Sequence, residues 1–296
     1  MNQKVRRVAY FCLCALPFIG VLAASARPLR TAGLSHLIGG VLFTVVVLAV
    51  ALVARVTRWR EAGAVQLALA GLLLTLPWAI VSLLWVGIGA PFQATLSENY
   101  MRFVVLVWNS IFVTCGFVVL KQALDDAGER LYSALGLATA ICAGGAYLIC
   151  LNLSLAQVAL ALRGDKATLP PILVDFYGAI EFVACVMTYV TTAAFAGALG
   201  RAGFLARGAA RTYVVISTLM VVLIVTRGLV YPEISSNTAP WYTRPGVIAG
   251  IPAIPWFMPC LLGAVLLRRA GERQGPLVGD DATPCGSSTQ NSPRNP

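Results

Sequence analysis

Charged residues are scarce in this chain. Asp, Glu, Lys and Arg make up 11% of its 296 residues, whereas hydrophobic residues make up 58%. Soluble domains carry about a quarter charged residues and about half apolar ones. A water-soluble protein of this length would need a far more polar surface. The composition therefore excludes an ordinary soluble domain and indicates that lipid covers much of the outside.

The residue types that many catalytic and metal sites require are also few. The chain has a single His, His36, whereas bis-His haem ligation, a His-based zinc site and a Ser-His nucleophile each need more His or a His placed with partners. The phosphate-binding pattern G-x-x-x-x-G-K-[ST] is absent. We therefore expect no cofactor, no metal site and no enzymatic activity. A membrane enzyme is the least supported alternative, because no set of acid, base and nucleophile converges.

The net charge of +10 comes from scattered basic residues. They occur in twos and threes at the ends of apolar stretches, without the basic patch and interleaved aromatics that nucleic-acid binding needs. We expect no nucleic-acid partner. Anchoring in the lipid bilayer and attraction to anionic headgroups explain these positions better.

Eight apolar stretches, each long enough to cross a bilayer, account for most of the chain. A hydrocarbon core about 30 Å thick needs roughly 20 residues of helix, and only helices and closed barrels satisfy every backbone group inside it. We predict an all-α, polytopic integral membrane bundle of about eight transmembrane helices in residues 1–269, followed by a polar, disordered cytoplasmic tail in residues 270–296. The predicted spans are Val8–Ala26, Ala32–Ala54, Ala64–Ala90, Arg102–Gln122, Leu131–Leu153, Ile172–Gly200, Ala210–Tyr231 and Gly246–Leu267.

The distribution of Arg and Lys predicts the orientation of these spans. Fifteen of the 22 basic residues fall in the N-terminal segment, the even-numbered links and the tail. The positive-inside rule places that set in the cytoplasm, so both termini are cytoplasmic in a bacterial inner or plasma membrane. The first span also resembles a secretory signal, with Ala24-Ser25-Ala26 as a cleavage site. Cleavage would leave seven spans, and we favour retention.

Short sequence words recur between the two halves of the chain. Tyr100-Met101-Arg102 follows the third span and Tyr242-Thr243-Arg244 the seventh, and the words Ala127-Gly128-Glu129-Arg130 and Ala270-Gly271-Glu272-Arg273 follow the fourth and eighth. One interpretation is an internal repeat of four plus four spans in parallel orientation. The alternative is chance recurrence in a chain rich in Ala, Gly, Leu and Arg.

Glu181 is the clearest functional candidate. A charge at the bilayer centre costs from about 2.5 to more than 10 kcal/mol, and Glu181 lies roughly 13 Å into the sixth span. Polar residues at spacings of three and four share its helix face, which must therefore meet protein or water rather than lipid. These residues are Tyr177, Cys185, Thr188 and Thr192.

Two further polar residues lie at a similar predicted depth. Arg227 in the seventh span could turn inward to Glu181 or Asp175, and Asn109 lies in the outer half of the fourth span. One hypothesis is an outward-facing polar cavity lined by Glu181, Arg227, Asn109 and Tyr177, in which a small ligand is bound, sensed or transported. The alternative is a structural or partner-binding subunit whose polar residues only lock helices together. The oligomeric state does not follow from either hypothesis.

The last span contains three prolines. Pro252, Pro255 and Pro259 each remove a helix hydrogen bond, so we predict that its outer half is kinked or re-entrant, followed by a helix from Pro259 to Leu267. Broken helices of this kind bind substrates in several transporters, although proline kinks are also common in membrane helices.

Overall fold

The computed structural model describes residues 62–88, 94–164, 170–230 and 257–272. These segments form helices joined by short turns, without β-strands in the described part of the chain. The all-α prediction is therefore confirmed for them. The helices are α1 (Ala62–Ile88), α2 (Leu96–Asp126), α3 (Leu131–Leu162), α4 (Pro171–Arg201), α5 (Arg207–Val230) and α6 (Phe257–Glu272).

Five of these helices, α1 to α5, are long and apolar enough to cross a membrane. The predicted count of eight spans is not confirmed, because the first two predicted spans lie outside the described residues and α6 has only 16 residues. The internal repeat is not confirmed either. The tail beyond α6 also lies outside the described residues.

Two helices extend beyond the predicted spans. α2 begins at Leu96 rather than Arg102, and α3 continues to Leu162 rather than ending at Leu153. The start of α2 is fixed by a capping box, in which the Glu98 backbone N–H donates to Thr95 Oγ1 over 3.3 Å and the Thr95 N–H donates to the Glu98 carboxylate over 2.8 Å. These bonds satisfy two backbone donors that no helix can satisfy internally. Hydropathy does not detect this polar first turn.

The helices pack mainly in chain order. α1 packs on α2, α2 on α3, α3 on α4 and α4 on α5, while α6 packs against α1 and touches the edge of α4. α1 and α6 meet at Gly71 and Gly263. A Cβ added at Gly263 would lie 2.8 Å from the Gly71 carbonyl oxygen and 2.5 Å from Thr75 Oγ1, so only a residue without a side chain allows this separation.

An aromatic pair occupies the core of the bundle between α2 and α4. The rings of Phe117 and Phe195 are stacked, with centroids 4.8 Å apart and planes at 16°. Gly136 on α3 makes room for them, because a Cβ added there would lie 2.8 Å from the Phe195 ring. Both rings are almost completely buried.

One end of the bundle, which we call the basal end, contains the α2–α3 turn (127–130) and the α4–α5 turn (202–206). The Arg201 guanidinium pairs with the Glu129 carboxylate across these turns, with Nε 3.2 Å from Oε2. Arg269 of α6 donates from Nε to the Phe204 carbonyl over 2.9 Å. The two contacts bring the ends of α2, α4 and α6 together. Gly128 and Gly203 have positive φ in these turns, the conformation that commonly ends a helix.

Candidate functional site

The polar face of α4 points toward α3. The Cys150 thiol of α3 donates to the Tyr177 carbonyl oxygen over 3.8 Å, and the Tyr147 hydroxyl lies 3.7 Å from Cys185 Sγ. Glu181 lies one helical turn from both Tyr177 and Cys185, so it shares their face. We call these five residues, Tyr147, Cys150, Tyr177, Glu181 and Cys185, the Glu181 cluster.

The Glu181 side chain is half-buried. Its carboxyl group has no hydrogen bond or ion pair with any residue in the described segments. The other four members of the cluster are close enough to interact with its charge, and the Tyr177 hydroxyl also interacts with Ser154 of α3. The carboxyl group therefore lies among hydroxyl and thiol groups and lacks a protein cation among these described residues.

Asn109 of α2 lies at a different helix contact. Its side chain is 1% exposed, and Nδ2 donates to the Pro77 carbonyl oxygen of α1 over 3.2 Å. Its Oδ1 accepts no hydrogen bond from the described residues. The structure thus brings Tyr177 and Glu181 together and places Asn109 at the α1–α2 contact.

Arg227 belongs to the last turns of α5. Its side chain lies outside what the structure describes. The pairing of Arg227 with Glu181 therefore stays a prediction.

A small cavity lies between α2, α3, α4 and α6, about two to three turns below Glu181 along α4. About 20 Å³ of it is open to the centre of a water molecule, and about 10–15 Å³ by that measure suffices for one water. Five residues that carry a hydroxyl group contribute to its lining: Ser110, Thr114, Tyr147, Thr188 and Thr191. Its wall also includes Gly144 and Pro259.

The hydroxyl groups of the cavity are partly satisfied by their own helices. Thr188 Oγ1 donates to the Ala184 carbonyl over 2.8 Å, and Thr191 Oγ1 is 2.8 Å from the Met187 carbonyl. Such bonds to the preceding turn are the usual way for Thr to lie inside a helix.

Sequence reasoning identified the α4 side of the site and missed the α3 side. Tyr147 and Ser154 are seven residues, or two helical turns, apart, which places both on one face of α3. This spacing is the signal in the sequence that could have identified the α3 side of the site. Cys150 lies between them and would pass for a small hydrophobic residue, as Cys in an apolar stretch usually does.

The arrangement can bind a hydrogen-bond donor or a small cation. One carboxyl group supplies charge, and hydroxyl and thiol groups supply dipoles around it. Within the described ranges, no group of three or more His, Cys, Asp and Glu side chains could hold a metal ion.

Comparisons of the chain with protein-family models, with curated proteins and with solved structures gave no match.

Proposed function

We propose that the chain is a multi-pass integral membrane protein of a plasma or bacterial inner membrane, with its basal end and both termini in the cytoplasm when the first span is retained. Large apolar side chains on the outside of the bundle support the bilayer assignment. Trp108, Val222 and Leu219 are 57%, 56% and 58% exposed, which would be costly in water over so large a surface. The excess of Arg and Lys supports the orientation.

Within that membrane protein, we propose that Glu181 holds a small ligand that is bound, sensed or transported from the outer side, without chemistry of the protein's own. The single observation that carries this proposal is the half-buried Glu181 carboxyl group, which has no cationic partner among the described residues and is surrounded by the hydroxyl and thiol groups of its cluster. A carboxyl group in such a setting is costly unless it binds a cation or a proton. The ligand is therefore a small cationic species.

A structural role is the second candidate, and Asn109 favours it. Its bond to the Pro77 carbonyl joins α1 to α2 at a buried position, as polar residues often do between membrane helices. Under this alternative Glu181 also serves only to hold α3 and α4 together.

The two candidates differ in the effect of Glu181→Gln, which keeps the shape of the side chain and removes its charge. The thermal unfolding of the purified protein in detergent is measured with added Na⁺, K⁺ or methylammonium and over a range of pH. A ligand at about 100 times its Kd stabilises a protein by about 2.7 kcal/mol. We expect at least one probe, or the proton itself, to change the Tm of the wild type and to leave that of Glu181→Gln unchanged.

Asp175→Asn is the matched control, because Asp175 is an exposed carboxylate on the same helix. This variant should respond as the wild type does. Identical responses of the wild type and Glu181→Gln to every probe and every pH would contradict ligand binding and support the structural role.

A further inference from the structure

The Glu181 cluster continues into the hydroxyl-lined cavity. The Tyr147 hydroxyl lies beside Cys185 Sγ, interacts with the Thr188 side chain and also lines the cavity. Thr188 follows Glu181 by seven residues, a rise of about 10 Å along α4. Tyr147 thus links the Glu181 cluster to the cavity, while the completely buried Ala184 lies between Glu181 and Thr188 along α4.

The cavity continues toward the basal end through further hydroxyl groups. Thr191 lines the cavity, and its Oγ1 lies 3.0 Å from Thr139 Oγ1 of α3. On α2, Ser110 and Thr114 face the same space. These groups extend the polar route by about one more helical turn.

The Phe117–Phe195 pair closes this route on the basal side. Phe117 lines the cavity, and Phe195 lies one turn beyond Thr191 on α4. On α2 the next turn is polar, because Lys121 pairs with Asp125, and the Ser133 hydroxyl of α3 donates to Asp125 over 3.3 Å. On α4 the next turn is apolar, with Ala198 and Leu199 completely buried. The aromatic pair therefore belongs to an apolar layer, which also includes Leu120 of α2 and Leu199 of α4, between the cavity and the polar groups of the basal end.

We propose that the cation handled at Glu181 is a proton, and that it passes between Glu181 and the basal end through the water-sized cavity, with Phe117 and Phe195 as the gate. This inference rests on the proposed function. The small cavity suits a proton, because it holds about one water molecule and an ion would have to shed its hydration shell to enter it. A water and rotatable hydroxyl groups can pass a proton without that cost.

The proton is conserved along the route. Glu181 gives its proton to the hydroxyl–water chain, each member accepts one proton from the Glu181 side as it releases one toward the basal end, and Glu181 regains a proton from the outer side. No member of the chain is left charged, and no oxidant or reductant is needed.

The titratable side chains that face Glu181 come from two helices. Tyr147 and Cys150 face it from α3, and Tyr177 and Cys185 share its face of α4. The Arg residues of α6, Arg268 and Arg269, lie at the basal end. On α5, the side chain of Arg227 lies outside the described part.

The test measures proton entry into vesicles of phosphatidylcholine with a minority of phosphatidylglycerol. They contain the full-length protein and the pH dye pyranine, and a potassium gradient with valinomycin makes the interior negative. Phe117→Ala should acidify the interior about tenfold faster than the wild type, a modest reduction of the barrier. Adding Glu181→Gln to Phe117→Ala should return the rate to that of empty vesicles.

Phe117→Leu removes less volume and replaces Phe117→Ala in the assay if Phe117→Ala does not fold. Thr188→Val tests the part of the route between Glu181 and the cavity. Asp175→Asn in the Phe117→Ala background should keep the fast rate. Two results would overturn the proton route. In the first, vesicles with Phe117→Ala acidify no faster than empty vesicles. In the second, the fast acidification persists after Glu181→Gln is added to Phe117→Ala. In either case a probe response that depends on Glu181 in the thermal assay would leave the ligand-binding proposal standing.

Discussion

Two adjacent glycines of α3 give a direct test of the packing around the cavity. Gly144 is buried, and its carbonyl oxygen accepts a hydrogen bond from Ser110 Oγ over 3.4 Å. A Cβ added at Gly144 would overlap Thr114 Oγ1, whereas a Cβ added at Gly145 meets no atom within 4 Å. Gly144→Ala and Gly145→Ala therefore make the same chemical change in two different surroundings.

The expected difference follows from two effects. Replacing Gly by Ala inside a helix favours the helix by about 1 kcal/mol, and this gain is common to both variants. Overpacking costs about 1–3 kcal/mol and arises at Gly144 alone. Since the common gain cancels, Gly144→Ala should be less stable than Gly145→Ala by about 1–3 kcal/mol, while Gly145→Ala should equal or exceed the wild type.

The measurement is reversible unfolding in mixed detergent micelles, followed by circular dichroism. Thr114→Ala in the Gly144→Ala background removes the group that the new methyl group overlaps, so a double-mutant cycle should show a favourable coupling of about 0.5–3 kcal/mol. Equal stability of Gly144→Ala and Gly145→Ala would refute the reasoning, because α2 and α3 could not then approach as closely as the structure shows.

Two further substitutions test other helix contacts in the same assay. Gly263→Ala should destabilise the protein more than Gly144→Ala does, because the added methyl group meets the Gly71 backbone, which cannot rotate away as a side chain can. Gly197→Ala, with open space around it, is the control. Equal stability of Gly263→Ala and Gly197→Ala would contradict the α1–α6 contact. The free energy of unfolding of Asn109→Leu should stay within about 1 kcal/mol of the wild-type value. The variant loses one interhelical hydrogen bond worth about 0.6 kcal/mol, but it also removes a buried acceptor that lacks a partner among the described residues. A loss of stability above about 2 kcal/mol would show that Oδ1 has a partner in the membrane.

Local patterns predict the helices well where their ends coincide with a change in hydropathy. α4 was predicted over Ile172–Gly200 and is observed over Pro171–Arg201, and α3 begins at the predicted Leu131. The start of α2 was missed because Thr95 and Glu98 make a polar helical turn, which hydropathy cannot tell from a loop. Capping chemistry carries that information instead.

The candidate site was predictable on one helix only. Spacings of three and four placed Tyr177, Glu181 and Cys185 on one face because the helical period is a local property. Which helix that face would meet depends on how the helices pack, and the contacts of Tyr147 with Cys185 and of Asn109 with Pro77 join residues 38 and 32 positions apart. Nothing in the sequence near either residue specifies its partner.

The contact between Gly71 and Gly263 has a consequence for biosynthesis. α1 to α5 each pack beside a helix made just before or just after them, so these contacts can form while the chain is still being synthesised. The face of α1 that meets α6 must wait until residues 257–272 have left the ribosome. A chain that stops before Phe257 would lack the α6 backbone against which Gly71 packs, so this contact can form only after the last described helix has been made.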